Sequence, residues 1–235
     1  MNVRAILNPR AGVAAERARR ALAEGRPGWG PIELALTSGP GDARVLAKAA
    51  ADDGCDLVLS VGGDGTANEV AGGLLGSPTA LGIVPMGSGN GLARTLGLPL
   101  RAAPALAALE GGVDRLMDVG QVNGGIFLNV AGAGFDAHVG EAFHQRGRGG
   151  RRRGILPYVL LSLKAMPGYR AGSFSVTTAA GGFEGRALIV AFVNGRQYGG
   201  GAVLSPGGRL DDGVLEVVVL ESAPLLQLLA AAPRL

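Results

Sequence analysis

Short apolar runs alternate with longer amphipathic stretches through the first hundred residues. "VRAIL" (Val3–Leu7) reads as a buried strand, and "GVAAERARRALAE" spaces alanines and leucine at helical intervals with arginines outward. "IELAL" (Ile32–Leu36) alternates like a strand. "DARVLAKAAADD" (Asp42–Asp53) predicts a second helix, with Asp42 as its N-cap. "DLVLSV" and "ALGIVP" predict two more strands; "ANEVAGGLL" and "NGLARTLG" predict the helices that follow them. Strand–helix alternation of this kind predicts an open α/β sheet with helices packed on it.

The pattern changes near Met117. "MDVGQV", "GIFLNVAG", "FSVTTA", "ALIVAFVN" and "VLEVVVLE" follow as strands between glycine-rich turns, with one helix-like insert, "LPYVLLSLKAM". The expectation is an α/β domain over residues 1–116 and a mostly β sandwich domain over 117–235.

Composition sharpens this picture in a few places. Apolar residues make up 47% and charged residues 17% of the 235, as in a globular chain. Glycine is frequent, at 42 residues, and clusters between apolar runs rather than at a collagen-like period. The net charge is only +3 and the only lysines are Lys48 and Lys164, so arginine carries the basic balance. With few aromatics and no recognisable binding module, nucleic acid is not an expected partner. Cys55 is the sole cysteine, which excludes an intrachain disulfide. No apolar run approaches the ~20 residues that span a bilayer, and the first residues lack a signal-peptide pattern, so a cytoplasmic location is expected.

The candidate chemistry lies where strands end. Three loops follow three strands: "NPRAG" (Asn8–Gly12), "GGDGT" (Gly62–Thr66) and "MGSGNG" (Met86–Gly91). In open α/β sheets ligands sit beyond the carboxyl ends of the strands. A glycine-rich loop entering a helix lets backbone N–H groups reach an anion unobstructed. Asp64 stands out as an acid in an anion site, where it would hold a cation such as Mg²⁺ or a proton-donating hydroxyl. Each loop alone is also what an ordinary tight turn looks like; it is the three together that point to a polyphosphate cradle. No G-x-x-x-x-G-K-[ST] and no G-x-S-x-G occurs. "GAGFDA" (Gly132–Ala137) satisfies G-x-G-x-x-A, yet Arg151–Arg153 stand near where a dinucleotide site wants an acid about twenty residues on. His138 and His144 lack the companions of a zinc site.

"VGGDGTANEV", "GIVPMGSGNGLARTLGLP", "NVAGAGFDAHV" and "YGGGAVLSPGGRLDDGVLEV", in that order, resemble the diacylglycerol kinase catalytic-domain family, which includes bacterial lipid kinases and sphingosine and ceramide kinases. "GGDG" alone is shared with NAD kinases; "PMGSGNGLAR" favours the lipid branch. The resemblance implies an α/β nucleotide domain followed by a β sandwich, and ATP-dependent phosphorylation of a lipid hydroxyl, most simply that of diacylglycerol. A sphingoid base is an alternative acceptor, and an inactive nucleotide- or lipid-binding protein is an alternative outside enzymes.

Residue by residue, the resemblance implies that Asn8, Pro9, Arg10, Ala11 and Gly12 contact ATP. So would Gly62, Gly63, Asp64, Gly65, Thr66, Ala67 and Asn68, with hydroxyls from Thr37 and Ser88. Asp64 would organise Mg²⁺ and phosphate or help deprotonate the acceptor. Asp212, with the carbonyls of Arg209 and Val214, matches a structural Mg²⁺ site of bacterial members, although Asp-Gly is equally a turn signal. Arg94 is either a phosphate neutraliser or an ordinary surface residue. Two departures stand out: Gly91 replaces the Asp that many bacterial members carry after Asn90, and the glutamate-bearing "DGE" segment proposed as their general base is not found up to Leu235. An open sheet edge would invite a homodimer. "RGRGGRRRG" (Arg146–Gly154), beside apolar "ILPYVLLSL", is either a solvated loop or a peripheral contact with an anionic membrane, where the lipid substrate would be met.

Overall fold

A computed structural model describes residues 1–11, 13–25, 28–148, 160–162, 164–199 and 202–221. The chain divides into two compact units, one built on Met1–Leu128 and the other on Asn129–Tyr198 together with Ala202 onward.

The first unit is a parallel sheet of β1 (Val3–Leu7), β2 (Ile32–Leu36), β3 (Leu57–Gly62) and β4 (Ala80–Pro85), in the order β2-β1-β3-β4. Its register sets Val3 beside Ile32 on one side and Leu57 on the other, and Leu57 beside Ala80. The helices are α1 (Val13–Ala23), α2 (Asp42–Asp52), α3 (Asp64–Leu74), α4 (Gly91–Thr95) and α5 (Ala102–Glu110).

Alternation along the strands explains the layering, because successive side chains leave opposite faces. Val3, Ala5 and Leu7, with Leu57, Leu59 and Val61, pack against Ala18 and Leu22 of α1, Leu106 of α5 and Trp29. Ile6 and Val58 point the other way, to Ala43, Ala47 and Ala50 of α2, Val70 and Leu74 of α3, and Cys55. The helix after β1 and the helix after β3 therefore leave on opposite faces. Their loops part between adjacent strands, which makes this sheet end a topological switch point. Arg4 of β1 pairs with Glu33 of β2 at 2.7 Å and with Asp53 at 2.9 Å.

Several local expectations change. Asp42 does not cap α2; Gly41 holds the cap position in the left-handed region, and Asp42 turns its carboxylate back to the Ser38 N–H at 2.7 Å. The alanine-rich segment of α5 was not expected as a helix. "MDVGQV" supplies only β5 (Gly120–Val122), and "GIFLNVAG" breaks into β6 (Gly125–Phe127) and β7 (Val130–Gly134). β5 and β6 form a hairpin whose turn residues, Asn123 and Gly124, have φ of 49° and 76°, the conformation an Asn-Gly turn favours. The hairpin groups with the first unit, since the Leu128 N–H donates to Asn68 Oδ1 of α3 at 3.1 Å. The first unit thus runs to Leu128, past the boundary expected at residue 116.

The second unit is antiparallel. Helix α6 (Phe135–Arg148) follows β7, then come β8 (Gly172–Thr178), the 13-residue β9 (Gly181–Val193), β10 (Gln197–Gly199), β11 (Ala202–Val203) and β12 (Glu216–Glu221). β9 is long enough to pair β8 along its first half and β7 along its second, with β12 on its other edge. Its buried stretch includes Ala187, Leu188, Val190, Ala191 and Val193. Residues 149–154 of the arginine-rich segment, and residues 156–159 and 163 of "LPYVLLSLKAM", lie outside the described residues.

Candidate functional site: loops at the carboxyl end of the parallel sheet

β1, β3 and β4 end side by side, so their loops are neighbours although residues 8, 62 and 86 are far apart in sequence. The loop after β1 is a tight turn: Asn8 Oδ1 accepts the Arg10 N–H at 3.1 Å, and Pro9–Ala11 form a single 3-10 turn. Asn8 Nδ2 reaches Thr66 Oγ1 at 3.4 Å, linking this loop to the start of α3. Gly12 lies outside the described residues. Thr37, just past β2, is buried and its N–H donates to Leu7 O at 3.0 Å.

The loop after β3 is the anion-binding candidate. Gly63 caps α3, whose first intrahelical bond runs from the Ala67 N–H to Gly63 O at 3.1 Å. The amides of Gly65 and Thr66 precede that bond and leave the helix end pointing outward, where the dipole favours negative charge. A Cβ on Gly62 would stand 2.5 Å from Thr66 Oγ1, so only glycine lets the helix begin this soon after the strand. Thr66 is buried and Gly65 exposed.

The loop after β4 is laced to its neighbour. The Met86 N–H donates to Gly62 O at 2.7 Å, and a Cβ on Gly87 would lie 2.7 Å from the Gly63 Cα. Asn90 is buried in the left-handed region, φ 49°. Its carboxamide closes a ring with Gly87: Oδ1 accepts the Gly87 N–H and Nδ2 donates to Gly87 O, both at 2.8 Å. Sequence reasoning passed over Asn90, though an Asn flanked by glycines is the residue type that tolerates φ > 0. Arg94 Nε donates to Gly89 O at 3.1 Å, which ties this arginine to the loop rather than leaving it an ordinary surface residue. Ser88 is exposed at the tip.

Asp64 joins the two loops. Its Oδ2 accepts the Gly91 N–H and its Oδ1 the Leu92 N–H, each at 3.1 Å, so the first amides of α4 already hold an anion from within the chain. The expectation that every loop offers a free helix start is therefore corrected at α4. Asn68 and Ala67 are likewise turned to the fold, Asn68 by its bond to Leu128 and Ala67 by burial.

Two groups of predicted residues belong to the second unit. Arg209, Asp212 and Val214 share one turn: the Val214 N–H donates to Asp212 Oδ1 at 3.1 Å, Gly213 has φ 72°, and Arg209 Nε pairs with Asp211 at 3.1 Å. Among the described residues no three His, Cys, Asp or Glu side chains are grouped to hold a metal. The turn offers Asp212 Oδ2 and backbone carbonyls, a set that suits Mg²⁺ where waters complete the octahedron. In "GAGFDA", Asp136 is buried against Gly132, where a Cβ would stand 1.7 Å from its Oδ2, and Oδ2 accepts the Tyr198 hydroxyl at 3.1 Å. That carboxylate packs the start of α6 against β7. No helix among the described residues is long and apolar enough to cross a membrane.

Comparison with known proteins agrees with this architecture. Residues 2–122 match the diacylglycerol kinase catalytic domain family, and residues 129–235 match the YegS C-terminal NAD kinase beta sandwich-like domain. The chain is 36% identical over 207 residues to a Pseudomonas aeruginosa PAO1 protein named "Probable lipid kinase YegS-like", covering 87% of this chain and 68% of that one. It is 33% identical over 202 residues to a Bacillus subtilis protein named diacylglycerol kinase, covering 83% and 65%. The chain thus spans about two thirds of the length of these relatives. A crystal structure of a diacylglycerol kinase from Bacillus anthracis strain Sterne superposes with a TM-score of 0.74 at 28% identity, over 100% of this chain and 78% of that one. With both units matched and the glycine loops at the switch point of the sheet, the chain belongs to the bacterial diacylglycerol kinase family.

Proposed function

We propose that this protein is an ATP-dependent lipid kinase that transfers the γ-phosphate to a lipid hydroxyl, with diacylglycerol as the acceptor. The observation that carries the reading is the start of α3: outward amides of Gly65 and Thr66 at the switch point of a parallel sheet, in a chain of this family. Phosphoryl transfer requires positioning and charge stabilisation more than covalent chemistry. The α3 amides bind and orient the phosphates, and Arg94, fixed through Gly89, adds positive charge beside the same loop. Asn8 and Thr66 keep the loop after β1 against α3, which defines one wall for the nucleotide. Mg²⁺ bound with the triphosphate supplies the remaining charge neutralisation, and the Asp212 turn is the proposed second cation position. Arg146–Gly154 is the proposed contact with anionic membrane lipid, and the chain is proposed to pair as a homodimer. The acceptor's name comes from the relatives, and the test bears on it directly.

The test is transfer of labelled γ-phosphate from Mg²⁺-ATP to lipids in mixed micelles, with diacylglycerol, monoacylglycerol, ceramide and sphingosine in parallel. Labelled phosphatidic acid is expected, and Gly65→Glu should abolish it. Gly65 has open space around a Cβ, so that variant folds while placing a carboxylate where phosphate would lie. Labelling of a sphingoid base alone would replace the acceptor. No labelled lipid from protein that binds ATP would overturn the kinase reading.

A further inference from the structure

Helix α4 has five residues and no cap of its own. The residue in the cap position, Asn90, makes no side-chain bond to the helix, because its carboxamide is spent on Gly87. A helix this short does not sustain itself in water, and an N-cap side chain ordinarily satisfies its first bare amides. Here that function is filled from another element. Asp64, 27 positions earlier in the chain and first residue of α3, takes the Gly91 N–H on one oxygen and the Leu92 N–H on the other.

The two contacts lie in line with others. Gly62 O holds the Met86 N–H, and Gly63 lies so close to Gly87 that a Cβ on Gly87 would clash with the Gly63 Cα. Residues 62, 63 and 64 thus each fasten a successive point of the next loop, continuing the β3–β4 pairing beyond the last strand pair, Gly62 and Pro85.

We infer that Asp64 is a positioning residue: its carboxylate clamps the loop Met86–Gly91 and the start of α4 onto the start of α3, and so fixes the pocket in which phosphates bind. The inference rests on the nucleotide reading of this sheet end, and it deepens it by assigning the family's prominent acid a role that needs neither metal nor proton transfer. It explains the residue type. Each oxygen of an ionised carboxylate accepts one N–H, and charge-assisted bonds are the stronger kind. An asparagine has one acceptor, and its NH₂ would face the second amide donor to donor. It also assigns the anion: with α4's first amides taken, the phosphates fall to Gly65 and Thr66 of α3.

The experiment compares wild type with Asp64→Asn in the full chain by amide hydrogen exchange over residues 86–95 and by titration with a fluorescent ATP analogue in EDTA. In the variant, exchange at Gly91 and Leu92 should rise by about tenfold or more, and metal-free nucleotide affinity should fall by about tenfold, the scale of one charged hydrogen bond. Unchanged exchange together with unchanged affinity in EDTA, when transfer with Mg²⁺ is lost, would overturn the inference and leave Asp64 as metal ligand or base. Gly87→Ala serves as the second variant. It strains the neighbouring contact with Asp64 intact, so the Gly91 and Leu92 amides should stay better protected than in Asp64→Asn; exchange as fast as in Asp64→Asn would show that packing at Gly87 rather than the carboxylate holds them, and would overturn the inference. A wild type that binds no nucleotide overturns the nucleotide reading, and the exchange comparison then still decides the clamp.

Discussion

Two adjacent glycines in α3 should respond in opposite directions to the same change. Gly73 sits where α3 crosses α2. A Cβ there would lie 2.3 Å from Arg44 O, 2.8 Å from Ala47 Cβ and 2.9 Å from Lys48 N. Two of these atoms are helix backbone and cannot swing aside, so the helices must separate and loosen the core between Ala47, Val70 and Leu74. Overpacking of this kind costs about 1–3 kcal/mol. Alanine returns ~0.5–1 kcal/mol through the lower entropy of the unfolded chain, leaving Gly73→Ala destabilised by roughly 1–2 kcal/mol. Gly72 faces Arg44 Nε at 3.6 Å and Ile126 Cδ1 at 3.8 Å, ordinary contact distances. Gly72→Ala therefore keeps the gain without the clash and should be stabilised by about 0.5–1 kcal/mol. Trp29 is the only tryptophan and is buried in the first unit, so its fluorescence reports that unit's unfolding in urea. With a slope of about 1–3 kcal/mol per molar urea, the two midpoints should differ by about 0.5–3 M. Equal shifts, or a Gly73→Ala protein as stable as wild type, would refute the packing argument.

Other measurements address the loops, the thiol and the second unit. Asn90→Gly keeps the left-handed backbone and loses the ring to Gly87, whereas Asn90→Ala loses both; urea melts should place Ala below Gly by about 1 kcal/mol. Burial pushes the Cys55 thiol above its ordinary value of 9.0, against a smaller opposing pull from Arg4. The folded chain therefore holds this proton to higher pH than the unfolded chain. Its contribution is fully present below 9.0 and is lost as pH rises through the raised value. Wild type should thus lose more stability than Cys55→Ala as pH rises above 9.0, and a thiol reagent should label Cys55 only on unfolding. Tyr198→Phe removes the hydroxyl bonded to Asp136, whose Oδ1 is already buried with no partner among the described residues. A loss of about 1–3 kcal/mol in thermal melts is expected, and an unchanged melt would show that Asp136 is supported otherwise.

Much of the first unit was legible because its signals are local. β1 to β4 are short apolar runs, and α1 to α3 carry alanine at helical spacing; neither needs a distant partner to be recognised. α5 escaped because "RAAPALAALE" is apolar on nearly all sides and carries a proline in its first turn, so it shows little periodicity. "GIFLNVAG" reads as one strand because nothing in its composition marks the break at Leu128, whose N–H donates to Asn68.

The sequence by itself determined the alternation of strands and helices, the three glycine loops and the family, because these depend on residue type and spacing along the chain. Only the tertiary structure decided what the loop residues do. In the sequence Asp64 reads as the holder of a cation or a hydroxyl; the parallel register of β3 and β4 brings the Gly91 and Leu92 amides to its two oxygens. The fold likewise gives the Asn90 and Asn68 carboxamides backbone partners that the sequence does not show. The physical reason is that a hydrogen bond between residues tens of positions apart exists only after the sheet has fixed which strand ends are neighbours.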